Sequence, residues 1–171
     1  VSASPASYNS ETGLPLSILS AQSSCDFLVL EFGVNALGEM ADRLKVCEPK
    51  HAWLTTVSPV HLEGMLSVEN IYSEKMQLLD AAPGQTLEGQ ALFQNGTAQI
   101  LDSTPGAWRV LLHPVGELLI PVLAQHEAEL VTSAVFFAHV LGVSSQALQS
   151  RIATLPPLAG RLELHVLNQI T

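Results

Sequence analysis

The feature that most constrains this chain is a change of hydrophobic period, made twice between residues 27 and 79. Phe27-Leu28-Val29-Leu30-Glu31-Phe32-Gly33 is an almost continuous apolar run, as a strand buried on both faces would be. Leu37, Met40, Ala41 and Leu44 then recur at helical spacing, with Glu39, Asp42 and Lys45 turned away. Ala52-Trp53-Leu54-Thr55-Thr56-Val57 reads as a second strand, and residues 68–79 as a second amphipathic helix. Strand, helix, strand, helix at this rhythm implies right-handed βαβ units. The expected fold is therefore α/β, a mainly parallel sheet flanked by helices.

The pattern changes after Pro83-Gly84. Residues 87–101 alternate around Gln94-Asn95-Gly96-Thr97, which reads as a two-residue hairpin. Residues 108–112 and 117–122 look like further, antiparallel strands, so a small antiparallel insertion is expected over about residues 86–122. A long apolar helix is expected over residues 126–141, closed by Gly142. Ser144 is placed to cap a shorter helix ending before Pro156-Pro157, and a last strand is expected over residues 161–166. No internal repeat interrupts this order. Residues 1–171 are read as a single domain, and Val1 in place of an initiating Met suggests a chain cut from something longer.

Composition excludes several classes of partner. The 171 residues carry 7 Lys+Arg against 16 Asp+Glu, a formal charge of −9 with no basic cluster, which argues against nucleic acid and anionic membranes. The longest apolar stretch, residues 131–143, contains His139 and is too short to cross a bilayer. With 47% hydrophobic residues, the chain has enough apolar content for one full core. No secretory signal opens it, so a cytoplasmic location is expected. Cys25 and Cys47 lack metal-ligand spacing and read as thiols rather than a disulfide.

Three residues stand out for their chemistry. Glu31 lies near the C-terminal end of an apolar strand, where ligands of open α/β sheets collect and where a carboxylate can hold a hard cation such as Mg²⁺. The plainer alternative is a strand-end Glu paired with a nearby base. His61 follows the second strand in Ser58-Pro59-Val60-His61-Leu62-Glu63-Gly64, at the same edge of the sheet. It could be a ligand, a general base, or a loop histidine with a satisfied hydrogen bond. Lys75 falls near the middle of an apolar face made by Ile71, Tyr72, Met76, Leu78 and Leu79, with Glu69, Ser73, Glu74, Gln77 and Asp80 opposite. An ammonium there must snorkel, pair, or be chemically changed. The remaining histidines, His51, His113, His139 and His165, share no metal-ligand spacing, and no GxxxxGK[ST] or GxGxxG occurs.

These residues belong to a wider pattern. Tyr8-Asn9-Ser10-Glu11-Thr12-Gly13-Leu14-Pro15-Leu16, Leu30-Glu31-Phe32-Gly33, Gly38-Glu39-Met40, and His61-Leu62-Glu63-Gly64 followed by Lys75 resemble the central domain of the Mur ligases. Leu141-Gly142-Val143 and Gly160-Arg161-Leu162 resemble that family's later helix and its domain exit. The His-Leu-Glu-Gly segment with its downstream lysine is the most specific part. Within the family the likeness is greatest to the MurF-like branch, which adds D-alanyl-D-alanine to a UDP-MurNAc-tripeptide.

The resemblance implies roles. Glu31 and His61 match the family's Mg²⁺ ligands, and Lys75 matches the lysine that becomes carbamylated and so turns into an anionic partner of the metal. Asn9 and Ser10 match a loop facing substrate and phosphates, and His126 stands where the family contacts the nucleotide. The implied reaction uses ATP to convert a substrate carboxylate into an acyl phosphate, which the amine of the incoming dipeptide or amino acid then attacks. There are departures. The family's P-loop and C-terminal domain are absent from these residues, and His126-Glu127 stands where the family often has His-Asn. The chain alone is therefore expected neither to hydrolyse ATP nor to ligate. A degenerate, non-catalytic binding or scaffolding domain is the alternative, and a MurE-like or folylpolyglutamate-like ligase a further one.

Overall fold

The computed structural model describes residues 1–155. The strand expected at residues 161–166, the Gly160-Arg161-Leu162 exit, Pro156-Pro157 and His165 lie outside the described residues. The chain divides into two compact units, Val1–Leu87 and Glu88–Thr171.

The first unit begins with β1 (Ser2–Ala3) and α1 (Gly13–Leu19), followed by β2 (Leu28–Val29) and α2 (Glu39–Val46). It continues with β3 (Ala52–Leu54), the single turn α3 (Leu62–Met65) and α4 (Val68–Ala81), and β4 (Thr86–Glu88) closes it. β1 pairs with β2 in parallel, with Ser2 opposite Leu28. β3 and β4 form a second two-stranded sheet. Two clusters of buried residues hold its elements together among the described residues. Val34, Met40, Met65 and Ile71 join α2, α3 and α4, while Ala52, Leu54, Leu79 and Ala82 seat α4 on β3. Ser67 caps α4 by accepting the Asn70 N–H at 3.2 Å, which fixes where that helix starts.

Several expectations for this unit are corrected. The run at residues 27–33 is a strand only at Leu28–Val29, and it is sheltered on one face: Phe27 and Val29 are 42% and 55% exposed. Its partner β1 is too short and too polar to carry a period of its own. The inward stripe of α2 is Met40, Arg43 and Leu44, whereas Leu37 and Ala41 are exposed. The helix starts at Glu39 after Gly38, which stands at φ 89°, and this start sets the stripe. On α4, Glu74 is buried at 3% exposure rather than facing solvent, because it meets the backbone of α2. Tyr72, expected on the apolar face, is exposed.

The second unit runs α5 (Ala91–Gln94), β5 (Ala98–Thr104), β6 (Ala107–Leu112), β7 (Gly116–Ile120), α6 (Gln125–Val140) and α7 (Ser145–Ile152). β5, β6 and β7 form the antiparallel sheet expected within residues 86–122. α6 packs on β6 and α7 on β7. Val110, Leu112, Leu118 and Ile120 supply the buried sheet face, and Ala128, Val135, Leu148 and Ile152 are buried on the helices. Ser144 caps α7 through the Ala147 N–H, and Gly142 at φ 99° follows α6.

The hairpin expected at Gln94-Asn95-Gly96-Thr97 does not form. Burial of Leu92 at 3% exposure favours the one-turn helix α5, and Asn95 is its C-cap. Gly96 then takes φ 79°, and Asn95 Oδ1 accepts the Thr97 N–H at 3.0 Å. Asn-Gly tolerates positive φ in a helix cap as well as in a hairpin turn, so the dipeptide alone could not tell them apart. The tight turn instead lies at Pro105-Gly106, where Thr104 pairs with Ala107 and Gly106 takes φ 84°.

Candidate functional site

The site is built mostly from loops of the first unit. Glu31 lies two residues past the end of β2, where its backbone N–H donates to Ser4 Oγ at 3.2 Å. Asn9 sits in the turn between β1 and α1 and donates from Nδ2 to Glu31 Oε1 at 2.7 Å. The same residue's carbonyl accepts the Gly33 N–H at 2.8 Å. Gly33 is required there for space: a Cβ would lie 2.7 Å from Asn9 Cγ and 2.9 Å from Oδ1. Ser10 Oγ accepts the Gly13 N–H at 3.2 Å, which sets the entry to α1.

His61 occupies the N-cap position of α3 in the left-handed region, at φ 55°, and is exposed. The glycine three residues later fixes this turn, since a Cβ on Gly64 would lie 2.3 Å from the Asn35 carbonyl oxygen. Lys75 is half-buried in the middle of α4, and its Nζ donates to the Thr56 carbonyl at 3.3 Å. Burial holds its ammonium below the ordinary value of 10.5, since desolvation disfavours the charged form. In this structure the ammonium is partnered by a backbone carbonyl within the fold.

One cavity of about 580 Å³ gathers these side chains: Asn9, Ser10, Glu31, His61 and Lys75 all line it. They come from positions spread over most of the first unit, and folding brings all five to one place. Trp53, Thr55 and Leu78 add walls that the sequence did not single out. A strand-like run such as Ala52-Trp53-Leu54 shows no sign of which side chain faces a cavity. His126 is the second residue of α6 in the second unit and is exposed. The cavity's lining is drawn entirely from the first unit.

The donor set bears on metal binding. Among the described residues, no group of three His, Cys, Asp or Glu side chains is placed to hold a metal ion. The cavity instead offers one carboxylate and one imidazole beside an amine. Mg²⁺ is commonly held by one or two carboxylates together with substrate phosphates, so Glu31 and His61 fit a site completed by other oxygen donors. Elsewhere, His51 Nδ1 accepts the Gln85 N–H at 2.8 Å, and His139 Nδ1 lies 3.3 Å from the Val143 carbonyl four residues on. Cys25 and Cys47 are free thiols. No helix among the described residues is long and apolar enough to cross a membrane.

Known proteins are similar to this chain in sequence and in fold. The family profile described as "Mur ligase middle domain" matches residues 1–99. The UDP-N-acetylmuramoyl-tripeptide--D-alanyl-D-alanine ligase of Haemophilus influenzae is 24% identical over 91% of this chain and 39% of its own length. Its Escherichia coli counterpart is 21% identical over 90% of this chain and 40% of its own length. Among solved structures, MurF from Acinetobacter baumannii superposes with a TM-score of 0.77 at 19% identity, covering 94% of this chain and 41% of that one. MurF ligase from Thermotoga maritima, solved in complex with ADP, gives 0.74 at 21% identity, covering 93% of this chain and 43% of that one. The structures share the α/β fold. The chain spans about two fifths of the length of the curated relatives it matches.

Proposed function

Since the chain belongs to the Mur ligase middle-domain family, we propose that it serves an ATP-dependent ligase of peptidoglycan precursor synthesis. That ligase joins D-alanyl-D-alanine, or an amino acid, to a UDP-MurNAc-peptide through an acyl phosphate, in the cytoplasm. The observation that carries this reading is the meeting of Asn9, Ser10, Glu31, His61 and Lys75 around one cavity.

Each residue then has a part. Glu31 and His61 would hold Mg²⁺, which when bound would supply charge neutralisation to a transferring phosphoryl group. Lys75, its neutral amine favoured by burial, is the carbamylation candidate. As a carbamate it would offer the cavity a second anionic oxygen group. Asn9 orients the Glu31 carboxylate and, with Ser10, faces substrate and phosphate. His126 is assigned to the nucleotide side. The domain is read as one middle domain over residues 1–171, with the antiparallel sheet as an insertion.

The test uses the full-length protein. UDP-MurNAc-tripeptide, D-alanyl-D-alanine and ATP are supplied with Mg²⁺, and phosphate release dependent on the dipeptide is followed. Turnover is expected in the wild type, with a loss of at least 100-fold in kcat for Lys75→Ala at unchanged melting temperature. A wild type that binds the UDP-MurNAc-peptide but never releases phosphate would overturn the ligase and favour a non-catalytic binding domain.

A further inference from the structure

A buried carboxylate next to the cavity-lining Lys75 has no part in the ligase reading. Glu74 is 3% exposed, and its Oε1 accepts the Met40 N–H at 2.7 Å while Oε2 accepts from Gln77 Nε2 at 3.0 Å. Burying a carboxylate is costly unless it is well partnered, so an apolar side chain would ordinarily be favoured at this position.

The reason for the charge lies in α2. That helix opens after Gly38, which has no side chain to cap it, and its first turn begins with free N–H groups. Glu39, which could have folded back as a local cap, instead accepts the Asn35 N–H at 2.8 Å and tightens the loop before the helix. The Met40 donor is left for a residue 34 positions away, and the positive end of the helix dipole favours a carboxylate there. Met40 and Lys75 both line the cavity, Met40 from α2 and Lys75 from α4, one residue beyond Glu74.

We propose that Glu74 is a positioning residue: it caps α2 from α4 and thereby fixes the cavity wall of residues 33–40 against the helix that presents Lys75. A side chain at position 38 would be strained at φ 89°, so the cap comes from elsewhere, and the long-range carboxylate both satisfies the N–H and joins α4 to α2. The proposal rests on the reading of this cavity as the active site, and its test separates the two.

The experiment compares Glu74→Gln and Glu74→Ala in the full-length protein. Trace acetylation with acetic anhydride reads the reactivity of Lys75 relative to the exposed Lys50 in the same sample. Amide exchange reads the Met40 N–H, and ligation supplies kcat and KM. Gln keeps an acceptor oxygen and Ala does not. Glu74→Ala is expected to raise Lys75 labelling relative to Lys50 at least threefold, to speed Met40 exchange at least tenfold, and to lower kcat with KM for the dipeptide within twofold. Glu74→Gln is expected to stay within twofold of wild type in both labelling and exchange. Unchanged Lys75 labelling in folded Glu74→Ala would overturn the proposal. If the Ala variant does not fold, a Gln variant with faster Met40 exchange and unchanged Lys75 labelling would overturn it as well. Expected labelling and exchange in a protein whose wild type does not ligate would leave the positioning role standing and remove the ligase reading.

Discussion

Gly33→Ala tests whether the glycine of Leu30-Glu31-Phe32-Gly33 is there for space. Its φ does not lie in the left-handed region, so alanine meets no backbone strain. On that ground alone the change would stabilise by about 0.5 kcal/mol, by restricting the unfolded chain. The neighbours decide otherwise. The new methyl would sit 2.7 Å from Asn9 Cγ and 2.9 Å from Oδ1, so the Asn9 amide must leave Glu31. A hydrogen bond to a charged group contributes about 1.5–3 kcal/mol, and the exposure of this one takes it below that range, to about 1 kcal/mol. The 3.0 Å approach to the Asn9 carbonyl oxygen also weakens the backbone bond that Gly33 donates, by roughly 0.5 kcal/mol. The net expectation is a destabilisation of about 1 kcal/mol. In an Asn9→Ala background the amide is gone, and the same change should cost close to nothing. The coupling of about 1 kcal/mol is read from a double-mutant cycle in urea, followed by Trp53 fluorescence with Trp108 changed to Phe. Equal costs of Gly33→Ala in the two backgrounds would refute the steric account.

Two further outcomes follow from burial. Lys75 is held below 10.5, so between its folded and unfolded values the unfolded chain binds more protons, and wild-type stability rises with pH through that window. Lys75→Met should therefore be most stabilising, relative to wild type, near neutral pH, with an advantage that shrinks as pH approaches 10.5; urea midpoints measured from pH 7 upward that diverge instead would contradict this. Desolvation, and then the charge of Glu48, raise the Cys47 thiol above 9.0, so its alkylation rate by iodoacetamide should reach half-maximum above pH 9.0 and shift downward in Glu48→Gln; a midpoint below 9.0 would show that burial does not control this thiol.

The α/β class, the amphipathic α4 and the long α6 were legible because each rests on a period sustained over several turns. What failed was local. Asn95-Gly96 satisfies two geometries equally, and the buried Leu92 three residues earlier decided between them. β1 has two residues and no period to detect. Glu74 read as solvent-facing because its partner is a backbone N–H, and backbone donors leave no trace in a side-chain pattern. Lys75 was legible for the opposite reason: a charge on an apolar face violates the pattern, and such violations gather where function is. Asn9, Ser10, Glu31 and His61 stood out through their motifs, while the walls made by Trp53 and Thr55 did not, since nothing in an apolar run says which residue will border a cavity.

The site itself poses a problem of rigidity. Of the five candidate site residues around the cavity, only Lys75 stands inside a regular element; the others are carried by loops and by the cap of a single-turn helix. Loops hold a constellation loosely unless something pins them, and here the pins are places where backbone meets backbone. Gly13 lies against the Tyr8 backbone, Gly64 against the Asn35 carbonyl, and Gly33 against Asn9. None of the three has a positive φ, so none is there for conformational freedom. Gly38 is the contrast: it takes φ 89° with nothing within 4 Å, and serves the turn alone. The glycines of the Glu-Phe-Gly and His-Leu-Glu-Gly segments thus act as absent side chains that let one loop close on another. The same logic accounts for Glu74, which reaches from α4 to accept the Met40 N–H of α2. A motif that reads as catalytic is, at its glycine, a description of how closely the chain must pack to hold its other residues in place.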